Sequence, residues 1–325
     1  MPGALSTYAF VNAKFRTRIS SLLADERVGA TWDEDVRTYL ERLGSFGYEN
    51  ALRLFVESGD LNLAELGIRR TIADAYTDIL KYLEGSEGDV VAAFSSRLEF
   101  EEIKAALRVW YGRVIRGVNV ESQVPYVRGP FAESIMASQS ADAVLSALGG
   151  TEYAEALAKP LSGIADNSTL FRADLALDAA YFTRLASAVE RLRDPDNTVA
   201  ERLIGLHVDN ENLNRIERIR TFYHLPDEVA DEALISILFG RRDTRNTGVN
   251  ELIHRSVESG NAGVIDKMEI VHVALEFETE RAIRKLLAGP PFTIGIVLSY
   301  GMLKEREVGR IVRSLNALRY QGVAG

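Results

Sequence analysis

Two Glu-x-x-His pairs are the residues of this chain with the most obvious chemistry: Glu251 with His254, and Glu269 with His272. Residues three apart share a helix face, so each pair can offer a carboxylate and an imidazole to one ion. Paired Glu-x-x-His motifs bind two metals in four-helix bundles. The two copies flank the turn at 259–263 at similar distances, which would let them face each other across a helical hairpin. A di-metal site also needs a Glu from each of two more helices, and nothing in the sequence marks those. The favoured reading is two ordinary helical histidines, and a di-metal helical-bundle enzyme is the enzymatic alternative. His207 and His224 are expected as capping or surface groups.

Other chemistries find less support. The chain has no cysteine, which excludes disulfides, thiol catalysis and cysteine-ligated zinc or iron–sulfur centres. It has no Walker sequence; Gly149-Gly150 only ends a short helix. No nucleophile elbow supports a serine triad. No cofactor is expected. Arg241, Arg242 and Arg245 form a basic loop, read as solvated or as a contact to acidic loops or lipid headgroups of a partner.

The 325 residues carry a net charge of −9, with 46% apolar and 26% charged residues. An acidic chain is a poor counterion for phosphate backbones, so no nucleic-acid partner is expected. No apolar run approaches the ~20 residues that span a bilayer. The beginning lacks the apolar core of a signal peptide, so a cytoplasmic protein is expected.

The elements that would hold these residues are helices. Apolar positions recur at helical spacing, strand-like alternation is nearly absent, and only eight prolines interrupt 325 residues. The first helix is predicted from Ser6 or Thr7 to about 24, with further ones at 32–43, 47–57, 61–83 (interrupted near Gly67) and 89–113. A turn is predicted at 85–88 and a linker at 117–131. Helices follow at 131–138, 140–148, 152–159, 170–192 and 198–224, then at 227–239, 248–259, 264–287 and from 292 to the end.

This order contains a repeat. Glu102-Ile103, Asn212-Leu213 and Glu307-Val308 coincide when residues 90–118, 200–229 and the last 34 residues are superposed. Arg108, Arg218 and Arg313 then share a column. Shifting the last copy by three, so that Glu307 meets Glu99 and Asp209, fits about as well. Either way a helical unit of roughly a hundred residues occurs three times, giving modules at 1–116, 117–225 and 226–325. None of the three column arginines has an acid three or four residues away, so each must face water, a partner or an acid of another helix. The preceding long helices offer Asp74 or Asp78, Asp174 or Asp178, and Glu276 or Glu280. A helix–helix tie within each unit is the preferred reading.

Three stretches carry a family resemblance: 8–16 (Tyr8-Ala9-Phe10-Val11-Asn12-Ala13-Lys14-Phe15-Arg16), 208–213 (Val208-Asp209-Asn210-Glu211-Asn212-Leu213), and Gly295-Ile296-Val297-Leu298-Ser299-Tyr300 followed by Lys304-Glu305-Arg306-Glu307. Together they resemble the C subunits of the bacterial and archaeal V/A-type rotary ATPases, whose counterpart in the vacuolar enzyme is the d subunit. The chain departs from the family at Glu102-Ile103, where Asn-Leu is favoured, and at Arg310-Ile311, where Asn-Leu or a similar pair is usual. The resemblance implies three helical modules arranged as a funnel or cup. It implies a non-catalytic rotor subunit that couples the central stalk to the membrane proteolipid ring and transmits torque. The partners would be stalk subunits and the ring, without bilayer insertion, and the isolated chain would be monomeric. The rival from another class is an unrelated helical-repeat scaffold.

Overall fold

A computed structural model of the chain describes residues 4–29, 34–118, 129–164, 170–218, 264–289 and 292–321. Among the described residues the elements are helical throughout and no strand occurs, as periodicity predicts. The helices are α1 (Ala4–Ser20), α2 (Asp25–Val28), α3 (Val36–Leu43), α4 (Glu49–Ser58), α5 (Leu61–Thr77), α6 (Gly85–Ser95), α7 (Arg97–Val114) and α8 (Ala132–Ala137). They continue with α9 (Ala141–Ala147), α10 (Glu152–Ser162), α11 (Phe171–Glu190), α12 (Asp196–Arg218), α13 (Val264–Ala288) and α14 (Gly295–Gln321). The helices expected at 227–239 and 248–259, and the loop between them, lie outside the described residues.

Local chemistry sets the helix starts. Asp35 and Asp60 accept from the amides of Thr38 and Asn62 at 2.7 and 2.8 Å, capping α3 and α5. Ser140 and Thr151 do the same for α9 and α10.

Several boundaries differ from the sequence reading, most clearly around α5. The helix runs unbroken through Gly67, where a Cβ would come within 3.1 Å of Ala51 Cα and Leu54 Cδ1. That glycine lets α5 lie close against α4; it is a packing residue rather than a break. The helix ends at Thr77, and the predicted turn at 85–88 is instead the first turn of α6.

The chain divides into two compact units. Unit 1 comprises Met1–Arg16, Tyr82–Val91 and Phe182–Ser299, and unit 2 comprises Thr17–Lys81, Ala92–Tyr181 and Tyr300–Gly325. In unit 1, α12 packs along α13. Leu203, Ile204 and Leu206 of α12 and Leu275, Ala282 and Ile283 of α13 are buried.

In unit 2, Val308, Ile311, Val312, Leu315 and Leu318 of α14 join Tyr39, Leu40, Leu43, Tyr48, Ala51, Ala64 and Ile68 in one apolar core. That row on α14 follows the i, i+3, i+4, i+7 spacing visible in the sequence. Around α7 a second set forms, in which Phe100 meets Tyr153 and Tyr181 edge-on at 4.9 and 5.6 Å between ring centroids.

Candidate functional site

The three resemblance stretches hold polar side chains inside apolar packing, a placement that needs a physical reason. In unit 1 the reason is Asp196, the first residue of α12. Its Oδ2 accepts from the Tyr8 hydroxyl at 2.5 Å and its Oδ1 from the Ile294 amide at 2.8 Å. The stretch at 8–16, the start of α12 and the segment leading into α14 therefore meet at one carboxylate. Burial pushes Asp196 above the usual carboxylate range, against the lowering effect of these two hydrogen bonds. The Tyr8 hydroxyl is raised by burial and by the neighbouring carboxylate.

Nearby positions of the same stretch also bind within unit 1. Arg16 donates to Asn12 Oδ1 and to the Leu287 carbonyl, both at 2.8 Å. Lys14 lies 5.9 Å from the ring centroids of Phe10 and Tyr82.

The corresponding node of unit 2 is Glu307 on α14. Its Oε2 accepts from the Leu23 amide at 2.6 Å. Its Oε1 accepts from Lys304 Nζ at 2.7 Å and from the Tyr48 hydroxyl. Lys304 also donates to Tyr48 Oη at 2.7 Å. The Lys-Glu-x-Glu stretch of α14 is thus a clasp over the loop after α1 and the wide helical turn at 44–48. Burial lowers the Lys304 ammonium, and Glu307 opposes that shift. Burial, reinforced by Glu307, raises Tyr48.

One turn earlier, Gly301 leaves room for the aromatic ring of Tyr76. A Cβ there would fall 1.8 Å from Tyr76 Oη and 2.6 Å from Phe94 Cε1.

A third group is a ladder between α7 and α11. Lys104 bonds Glu101 at 2.8 Å and Asp178, and Arg108 meets Asp174 at 3.2 Å. A step of four forward on α7 matches a step of four back on α11, the register of antiparallel helices. Burial raises Asp174 in spite of Arg108 and Lys104. Burial opposes the ionised form of Glu101, but Lys104 and Arg97 prevail and hold it at about 2.

The predicted repeat residues take different partners. Arg108 does find an acid on another helix, but it is Asp174 rather than Asp74 or Asp78. Glu102 pairs with Arg70 at 3.2 Å. Asn212 is buried on α12, and Glu307 is the clasp. Arg313 is exposed on α14, and the Arg218 side chain lies outside the described residues. Arg241, Arg242, Arg245, Glu251 and His254 also lie outside them, as does the side chain of Glu269. His272 is half-buried on α13. No three His, Asp or Glu among the described residues converge as a metal ion would need.

His207 corrects an expectation: it is buried, its ring 5.6 Å from Phe182, rather than capping or at the surface. It lies one turn before Glu211 on a helix whose apolar face is wide enough to take an imidazole.

Sequence reasoning passed over Asp196, Tyr48 and Lys104. The signals were present for two of them. Asp196 follows Pro195 at a helix start, where an acid complements the free amides. Lys104 interrupts the apolar row Ile103, Ala106, Leu107, Trp110 with Glu101 three residues before it. Tyr48 carried none, because its partner is 259 residues away.

Comparison with known proteins gives the family. The family model for the ATP synthase (C/AC39) subunit matches residues 11–322, and the chain belongs to that family. The C subunit of the A-type ATP synthase from Methanococcoides burtonii is 24% identical over 235 residues, covering 70% of this chain and 64% of that protein. Its namesake from Halorubrum lacusprofundi is 25% identical over 328 residues, covering 93% of this chain and 90% of the relative. A third, from Methanothermobacter thermautotrophicus, is 21% identical over 330 residues, covering 94% and 82%. The first of these alignments spans less than two thirds of the relative's length.

Proposed function

We propose that this chain is a non-catalytic subunit of the central rotor of a V/A-type ATPase or ATP synthase. In this reading three helical modules, 1–116, 117–225 and 226–325, form a socket that couples the stalk to the proteolipid ring and passes torque. The observation that carries the reading is the family match over residues 11–322. The geometry of the motif residues supports it. Tyr8, Asp196, Lys304, Glu307 and Tyr48 are all engaged in bonds that fix helices to one another. Buried ties of this kind resist shear between helices, the property a torque-bearing part needs.

No helix among the described residues is long and apolar enough to cross a membrane, which suits a subunit that docks on the ring from outside the bilayer. The face toward the ring is polar, because it must come away without exposing apolar surface.

The test is a mild-detergent pull-down of the tagged chain from its own cells, with mass spectrometry and an ATPase assay. Recovery with proteolipid, stalk subunits and nucleotide-hydrolysing subunits is expected, and added salt should release the chain from the ring. Recovery of the chain alone, with those proteins present in the lysate, would sink the reading.

A further inference from the structure

Helix α13 buries Leu275, Ala282 and Ile283 on one side. At about 100° per residue, Val273, Phe277, Arg284 and Ala288 fall within roughly 60° of one another on the other side. All four are exposed. Val273 and Phe277 lie one turn apart and are 62% and 63% exposed, more than any other large apolar side chain among the described residues. A single exposed apolar residue is ordinary, but this pair keeps roughly 200 Å² of apolar surface in water on one helix face. The arginines beside it are occupied within the helix: Arg281 meets Glu278 at 3.2 Å and Arg284 meets Glu280 at 2.6 Å. Lys285, at the edge of the strip, is exposed, and among the described residues no carboxylate pairs with it.

We propose that the Val273–Phe277 strip of α13 is a docking surface for an amphipathic α-helix of another subunit, with apolar side chains over the pair and a carboxylate over Lys285. Area and charge select this occupant. About 200 Å² is a quarter of the roughly 800 Å² per partner that a stable interface buries. The strip therefore suits a protein already held to the chain elsewhere, and a second copy with no other hold does not meet that condition. The charge argues against an anionic lipid surface, because Glu276, Glu278 and Glu280 lie on the same turns. One carboxylate complements one lysine, whereas a layer of headgroups would also meet those acids. Two apolar residues one turn apart match the spacing of the apolar row on a helix lying alongside. The identity of the other subunit rests on the rotary reading, in which the face toward the ring is polar and the strip belongs to a different contact.

The chain has no cysteine, so Val273→Cys carries its one thiol and nearly keeps the size of the side chain. In the isolated chain this thiol should react with a maleimide as fast as that of Arg53→Cys, an exposed position on α4. In the purified complex it should react about tenfold more slowly, and adding Phe277→Ser should restore the rate. Both side chains are exposed, so an unchanged melting curve is the control for folding. Equal reactivity in the isolated chain and the complex overturns the proposal. Protection already present in the isolated chain does so too, through a second copy if it grows with concentration and through the chain itself if it does not. A photo-crosslinker at Phe277 should label a helical segment of another subunit, and adducts to lipid overturn the docking surface.

A second measurement needs no assembly. The probe is a synthetic helical peptide with leucines at i and i+4 and glutamates two turns away on either side, compared with its counterpart carrying glutamine for leucine. A solvatochromic dye on Val273→Cys reports binding at millimolar peptide. The leucine peptide should bind about tenfold tighter, and that preference should disappear in Phe277→Ser. Lys285→Gln should weaken it by about threefold and remove its dependence on salt. No preference between the peptides overturns the strip. A complex that lacks the wild-type chain refutes the rotary reading and leaves the peptide result to decide the surface.

Discussion

Glu307 and Asp209 are acids of two motif stretches, each 5% exposed, one in unit 2 and the other in unit 1. Their surroundings differ. Glu307 accepts three hydrogen bonds, from the Leu23 amide, Lys304 and Tyr48. Among the described residues no hydrogen-bond donor reaches the buried Oδ2 of Asp209, and burial pushes its carboxyl up to about 7. Equal burial thus has opposite energetic meaning. A buried carboxylate with a cation and an amide beside it binds its neighbours together, and one without them is more stable holding a proton.

The largest expected effect follows from breaking the first of these sites. Glu307→Ala strands Lys304, Tyr48 and the Leu23 amide at once, so it should cost about 3–5 kcal/mol. Urea unfolding of the two proteins measures it. Glu307→Gln keeps the volume and one acceptor and should cost less. A loss below about 1 kcal/mol in the alanine variant would mean that the clasp rearranges at little cost.

Asp209→Asn should act in the opposite direction. The folded pKa of about 7 lies above the unfolded value of 3.8. A group raised in this way contributes its stability fully below the unfolded value, and that contribution is lost as pH rises through 7. Relative to the asparagine variant, the wild type should therefore weaken steadily between about pH 4 and pH 7.5 and then level off, by about 2–4 kcal/mol in all. Melting curves of both proteins across that range decide it. Parallel pH dependence would falsify the claim that Asp209 carries a proton in the folded chain.

The sequence made some of this legible and hid the rest for definite reasons. Helical periodicity located α7, α11, α13 and α14, because their apolar rows repeat every three or four residues whatever they pack against. Gly67 misled, since the same residue type serves both a break and a close approach, and only the presence of Ala51 at 3.1 Å distinguishes them. Glu307 and Asn212 could be singled out by their type and spacing, whereas what Asp196 and Tyr48 would meet could not be read. Their partners, Tyr8 and Glu307, are distant in the chain, and no local pattern encodes such a pairing. The arginine column aligned in sequence, yet Arg108 meets Asp174 while Arg313 is exposed. A repeat fixes the helical phase of a residue, but the neighbouring element decides what it meets.

A smaller effect probes the hydrogen-bonded acid of unit 1, Asp196. Tyr8→Phe removes one donor from Asp196 and leaves the Ile294 amide in place, so a loss of about 1–2 kcal/mol is expected by thermal melting. No measurable loss would place the weight of that node on the amide alone.

The smallest effect concerns Arg108, which lies between the two extremes that its sequence allowed. A buried tie predicts a loss of about 3–5 kcal/mol on alanine substitution and a solvated arginine less than about 0.5. The structure gives neither, because the Arg108 side chain is 42% exposed while that of Asp174 is 22% exposed. Solvent screens the cation, so Arg108→Ala should cost only about 1 kcal/mol. Asp174 is already raised by burial, and losing Arg108 raises it further. The attraction exists only while Asp174 is ionised, so the cost should grow as pH rises through its titration. A double-mutant cycle with Asp174→Asn isolates the coupling, since Lys104 and its bond to Asp178 remain in both arms. A coupling that does not change as pH rises from the acid range to neutral would assign the loss to the packing of the Arg108 stem on α11 rather than to its charge.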